Sequence, residues 1–195
     1  AQYEAVMTGN TDGLSATPSS FSGYPNRPVE QVSWDDVQVF LDILNAQQSE
    51  NMPAGWKYVL PTESQWEYAC RAGTTTAYSW GNDINSSLAN YNWDGEWNTG
   101  NDFNRPRDVG QYLPNPWGFF DMHGNILEWT ADRYGIYPVG NPVIDPTGDV
   151  SSSYWVLRGG RFTMPGYYVR SAVRRNHPSS YRRNYIGFRV GFQKQ

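Results

Sequence analysis

The densest run of residues able to do chemistry is 115–129, NPWGFFDMHGNILEW. Asp121 and Glu128 place two carboxylates around one tight turn at Gly124, and the carbonyls of Gly124 and Ile126 would complete an oxygen cage of the kind Ca²⁺ accepts. The same residues also read as a turn braced by hydrogen bonds, with His123 a structural donor. A catalytic acid pair built on Glu128 has less support. Thr130 stands where a second acid would be needed, and Asp132 is followed directly by Arg133, its expected ion-pair partner. Upstream, residues 74–116 show almost no periodicity and are rich in Asn, Asp, Gly and Trp. A loop this long needs something to hold it. A cation on Asn90, Asn101 and Asp102 would do so, and a series of side-chain-braced turns would do so as well.

Thiol and imidazole chemistry is sparse. The single cysteine, Cys70, excludes an internal disulfide and any zinc site built from several cysteines. It falls on the inner face of a short helical pattern and reads as a small buried filler rather than a nucleophile. His123 and His177 are the only histidines.

A different chemistry occupies 158–192, RGGRFTMPGYYVRSAVRRNHPSSYRRNYIGFRVGF. Its ends read as framework. Arg158-Gly159-Gly160 breaks the apolar run Tyr154-Trp155-Val156-Leu157, and Ile186, Phe188, Val190 and Phe192 alternate with Gly187, Arg189, Gly191 and Gln193, the period of one strand with one buried face. Between them lie tyrosines, arginines, serines and a histidine, with Phe162, Val169, Ala172 and Val173 as the plain core residues. Such a run suits a contact surface. Nine of the fifteen basic residues lie at 158 or beyond, so this face should be positive on a body of net charge −4. That net charge argues against nucleic acid or an anionic membrane as the partner of the whole chain.

These groups must be held by a fold with an aromatic core, since hydrophobic content is only 38% while nine Trp and fourteen Tyr are present. The 195 residues suffice for one domain with its own core. A short helix over 2–7 begins so abruptly that a processed or truncated N-terminus is expected, in which case an export signal would lie outside this sequence. Ser33-Trp34-Asp35-Asp36 opens a helix, with Val37, Phe40, Leu41 and Leu44 as its buried stripe and an end near 46–48. A strand at 56–60 stops at Pro61. Thr62 and Gln65 have the spacing of a capping box for a second helix that turns Trp66, Ala69 and Cys70 inward and ends at Gly73. No apolar run approaches the ~20 residues a bilayer span needs.

The ordered motifs PVEQVSWDDV, LPTESQWEYACRAG, YSWGN, NPWGFFDMHGNILEW, VLRGG and IGFRVGF together resemble the formylglycine-generating-enzyme, or sulfatase-modifying-factor, domain over nearly the whole chain. The resemblance implies an α+β, C-type-lectin-like fold of small twisted antiparallel sheets, two main helices and much irregular loop, in a single domain over 1–195. The family's enzyme binds copper through two cysteines after the RGG motif. Counted from Arg158 those positions are Met164 and Val169, and neither supplies the soft thiolate that copper(I) requires. An oxidase is therefore not expected. Iron-dependent sulfoxide synthases with this domain need histidine ligands, largely from another domain, and His123 and His177 are the only two here, so that reading fails too. What carries over is structural calcium at Asp121, Gly124, Ile126 and Glu128, with a second site at Asn90, Tyr91 and Asp102.

The C-terminus has a narrower resemblance, to variable proteins diversified by retroelements, in which adenine-directed mutagenesis randomises codons near the 3′ end. Asn codons altered at adenines yield Tyr, His, Ser, Thr, Arg or Val, the residues found here between Arg170-Ser171-Ala172, Pro178 and Ile186-Gly187-Phe188-Arg189. This implies a ligand-binding face of Arg161, Thr163, Met164, Tyr167, Tyr168, Val173, Arg175, His177, Ser179, Ser180, Tyr181, Arg183 and Tyr185. It implies a protein ligand first and a glycan second, a monomer, and display outside the cell on a bacterium or phage. The opposing readings are a formylglycine-type oxidase or accessory factor, and a structural surface protein on the same fold.

Overall fold

The computed structural model describes residues 1–92, 104–137, 140, 143–144 and 146–195. The candidate ligands Asn101 and Asp102 lie outside them. Helix α1 spans Gln2–Met7, α2 Trp34–Gln48 and α3 Glu63–Arg71. Strand β1 spans Trp56–Val59, β2 Leu127–Arg133, β3 Tyr154–Arg158, β4 Arg175–Pro178, β5 Ile186–Phe188 and β6 Gly191–Lys194.

Both main helices start where their local chemistry places them. The Ser33 hydroxyl accepts from the Asp36 amide at 3.1 Å while the Asp36 carboxylate accepts from the Ser33 amide at 2.9 Å. Thr62 and Gln65 close the same reciprocal box on α3, at 2.9 and 3.2 Å. Helix α3 turns out of its axis one residue before the expected Gly73: Ala72 already adopts the left-handed conformation at φ 47°.

A four-stranded sheet in the order β4-β3-β2-β5 and a separate β1–β6 ribbon form the framework. The larger sheet is mixed rather than wholly antiparallel, because β5 runs parallel to β2 in the register Leu127↔Ile186. The expected single strand over 186–192 is two strands in different sheets: Ile186–Phe188 pairs with β2, and Gly191–Lys194 pairs with β1. Val190 and Phe192 are accordingly exposed at 40% and 42%. Period-two alternation records which side chains share a face, not which neighbouring strand supplies the hydrogen bonds.

The main core joins α1, α2 and the mixed sheet. Tyr3 stacks on Phe40 with centroids 5.2 Å apart, and half-buried Phe188 meets Phe40 edge-on at 5.1 Å. Trp129 is fully buried and its indole donates to the Val32 carbonyl at 3.1 Å. Two assignments change. Ala172 is exposed rather than core, and Val173 is half-buried. Asp132 does not pair with Arg133: it accepts from the Glu63 amide at the start of α3, while Arg133 donates to the carbonyls of Val150 and Ser152. Adjacent residues of a strand point to opposite faces, which separates the two charges.

Candidate ligand-binding surface

The segment after Arg158 leaves the sheet through Gly159 and Gly160, both at positive φ. A side chain at Gly160 would meet Val169 Cγ1 at 2.6 Å and the Tyr168 carbonyl oxygen at 2.8 Å, so the crossing demands glycine. From there to Ile186 the framework holds the chain largely by its carbonyls. Asn92 N–H donates to Met164 O at 2.9 Å, and Arg158 donates to Val173 O at 2.6 Å. Trp34 N–H donates to Ser179 O, Gln31 N–H to Arg183 O and Leu127 N–H to Tyr185 O, at 2.9, 3.0 and 2.9 Å. Five of the sequence-selected face residues are thus gripped through an atom that does not depend on side-chain identity.

The thirteen face residues divide by exposure. Tyr167, Ser180 and Arg183 are exposed, the other ten are half-buried, and none is fully buried. Met164, Tyr181 and Tyr185 also pack against the main core, so these three do more than face outward. Strand β4 forms the sheet edge and puts His177 opposite Trp155 and Arg175 opposite Leu157. The face is built from cation–ring pairs. Arg161 lies 3.6 Å over the Tyr185 ring, Arg183 4.3 Å over Tyr181 and Arg175 4.5 Å over Tyr168. His177 stacks on Tyr181 at 3.8 Å, and Tyr167 packs on Tyr168 at 4.0 Å. Burial, with the fields of Arg183, Arg161 and Arg175, lowers the His177 pKa from its ordinary value.

Seven of the eight C-terminal arginines fall into two sets, and the eighth, Arg170, donates to the Tyr167 carbonyl at 2.8 Å. Arg158, Arg174, Arg182 and Arg189 bond the carboxylates of Glu67, Glu63, Asp36 and Glu128 and act as framework. Among the described residues Arg161, Arg175 and Arg183 have no carboxylate partner, and the buried Nε atoms of Arg161 and Arg175 have no hydrogen-bond acceptor. Sequence reading missed the framework partners of Arg174 and Arg182, because Glu63 and Asp36 lie 111 and 146 residues away.

The thiol and the imidazole meet in the interior. Cys70 Sγ lies 3.5 Å from His123 Nε2, burial pushes the thiol up to about 12, and both groups are buried. Ser79 N–H donates to Nε2 at 3.2 Å, so Nδ1 carries the proton and donates to Val169 O at 2.8 Å. His123 thereby ties the 79 loop to the face segment, the structural-donor role read from the sequence.

The calcium residues are only partly free to bind a cation. Asp121, Ile126 and Glu128 line one hollow together with Arg189. Glu128 accepts from Arg189 through both oxygens, at 2.5 and 2.6 Å, and from Trp66 Nε1 at 2.6 Å. Asp121 accepts from the Gly110 amide at 2.7 Å, and burial raises its pKa despite that bond. Gly124, at φ 82°, passes so close to Asn90 that any side chain would collide with the Asn90 carbonyl oxygen. Asn90 donates to Arg105 O and to Asn125 Oδ1, both at 3.1 Å, and Tyr91 is buried in a small aromatic cluster. The first set offers hard oxygen donors, but both oxygens of Glu128 are held by the Arg189 cation that lines the same hollow. For the second, the neighbourhood of Asp102 is not described.

The model of the sulfatase-modifying factor enzyme 1-like domain matches residues 2–193. The chain belongs to this family. Formylglycine-generating enzyme of Bos taurus is 34% identical over 176 residues, covering 85% of this chain and 44% of that protein. The chain thus spans about half the length of the curated relatives it matches. Among solved structures, Treponema denticola variable protein 1 superimposes with a TM-score of 0.79 at 26% identity, covering 99% of this chain and 80% of the other. PvdO from Pseudomonas aeruginosa gives 0.76 at 26% identity, covering 93% and 67%. These matches establish the α+β, C-type-lectin-like architecture expected of the sulfatase-modifying-factor family. At the two positions where the resemblance places the family's cysteines, this member has Met164, half-buried against the main core, and Val169, fully buried.

Proposed function

We propose that this domain is a non-catalytic binding module that presents a diversified C-terminal surface to a ligand outside the cell, a protein first and a glycan second, and that it acts as a monomer. The observation that carries the reading is the grip on carbonyl oxygens. A scaffold that holds Met164, Val173, Ser179, Arg183 and Tyr185 by main-chain atoms keeps its path when side chains change, with the widest freedom at Val173, Ser179 and Arg183, since Met164 and Tyr185 also pack against the core. Tyrosine and arginine then supply contact area and hydrogen bonds at low ordering cost. The decisive test is genomic. A near-copy of the 3′ coding region, differing at adenines and lying beside a reverse-transcriptase gene, is expected; its absence from the complete source genome would remove the diversified reading.

The protein chemistry gives a second test. Replacing Tyr167, Tyr168, Arg175 and Arg183 together by Ser or Asn should shift stability by no more than about 2 kcal/mol, since changes outside the core usually stay within about 0.5 kcal/mol each. Urea unfolding of the quadruple variant measures this. Unfolding without denaturant would mean these residues are framework.

Met164 and Val169 favour the non-catalytic reading over a formylglycine-type oxidase, because neither gives copper(I) a thiolate. Incubation with copper and a cysteine-containing substrate peptide should leave the peptide unchanged by mass spectrometry. Conversion to formylglycine above a no-protein control would restore the enzyme.

A structural calcium at Asp121, Glu128 and the carbonyls of Gly124 and Ile126 rests on the hard-oxygen donor set. An ion that binds only the folded state raises its stability by mass action. Chelator should therefore lower the Tm of the wild type and leave that of Asp121→Asn unchanged. Glu128→Gln is the poorer probe, since it also unpairs Arg189. Identical melts with calcium and with chelator would leave the hydrogen-bonded turn as the sufficient account.

A further inference from the structure

We infer that the segment of the partner protein seated on this face is acidic, with its carboxylates on Arg161, Arg175 and Arg183. The inference rests on the ligand-binding reading above and adds the chemistry of the ligand. Four framework arginines, Arg158, Arg174, Arg182 and Arg189, each hold a carboxylate of this chain, and the fifth, Arg170, donates to the Tyr167 carbonyl. The face arginines hold no carboxylate among the described residues. Two of them keep a buried Nε–H with no acceptor among the described residues; Arg158 shares that feature, but its guanidinium already holds Glu67, whereas Arg161 and Arg175 hold no carboxylate there. A guanidinium over an aromatic ring is oriented by it while its N–H edge stays available for a carboxylate.

The arrangement favours a peptide over a single phosphate or sulfate group. The guanidiniums rest on three different rings, those of Tyr185, Tyr168 and Tyr181, and not on a shared one. His177 stands among the three cations and its pKa is lowered by burial and by their fields. A bound carboxylate would offset those fields and raise it again.

The test is selection of a displayed random dodecapeptide library on the intact domain, followed by titration of the best synthetic peptide. Recovered sequences should be enriched in Asp and Glu. The triple variant Arg161→Gln/Arg175→Gln/Arg183→Gln should bind that peptide at least tenfold more weakly, and the peptide's amide counterpart should bind the wild type as poorly. NMR should show the His177 pKa rising when the acidic peptide binds. If the triple variant fails to fold, Arg175→Gln alone carries the comparison, with a loss of at least threefold expected. Uncharged peptides that bind the triple variant normally, but not Tyr167→Ser/Tyr168→Ser, would overturn the acidic ligand and leave the binding face intact. Heparin-derived oligosaccharide bound in preference to every peptide would overturn the peptide class. Recovery of peptides that bind independently of every face substitution would overturn both this inference and the ligand-binding reading.

Discussion

Arg158→Met is expected to destabilise the domain by about 3 kcal/mol or more, the range for removing one partner of a buried ion pair. The Arg158 side chain is completely buried. It bonds Glu67, donates to Val173 O at 2.6 Å and lies 5.4 Å from the centre of the Trp66 ring. Its Nε approaches Glu63 at 3.6 Å, an electrostatic contact longer than a hydrogen bond. Methionine conserves most of the volume, so the loss reports the charge and the Val173 bond rather than a cavity. Arg71 stays on Glu67 and Arg174 on Glu63, which keeps the cost at the lower end of the usual range. Adding Glu67→Gln should recover part of the loss by removing the under-compensated carboxylate. Urea unfolding of the single and double variants measures both. A single variant within about 1 kcal/mol of wild type would mean that Arg158 does not organise the base of the C-terminal segment.

Acidification should remove a comparable amount through His123. Burial, opposed by the hydrogen bond to Val169 O, holds its pKa at about 4 against 6.5 for an ordinary imidazole. A base whose folded pKa is depressed contributes stability that is fully present above the unfolded value. It is lost as pH falls through the window from about 6.5 to about 4, where the unfolded chain takes up a proton that the folded chain refuses. The magnitude is on the order of 3 kcal/mol. Glu30, Asp121 and Asp132, whose pKa values are raised mainly by burial, act in the opposite direction near the lower end. The site-specific readout is therefore an NMR titration, in which His123 should stay neutral down to about pH 4.5. A midpoint near the ordinary imidazole value would show that the ring reaches solvent and does not brace the 79 loop against Val169.

Part of this architecture is legible in the amino-acid sequence alone. The two capping boxes, the inward face of Val37, Phe40 and Leu41, and the Gly159-Gly160 exit are decided within a few residues, where hydrogen-bond reach and side-chain period leave little choice. The sequence also separates Arg161, Arg175 and Arg183 from Arg158 and Arg189 by their place between framework motifs. It does not say why they differ. The carboxylates that claim Arg174, Arg182 and Arg189 lie 111, 146 and 61 residues away, and only the chain path brings them near. The same reason splits the C-terminal strand. Alternation alone fits one strand, but Ile186–Phe188 finds its partner in β2 and Gly191–Lys194 finds its partner in β1, on different sheets. Sequence by itself determined the elements whose stabilising partners are local. Tertiary structure decided which arginine is held, which is left open and where the last strand breaks, because each depends on a backbone or carboxylate contributed by a distant part of the chain.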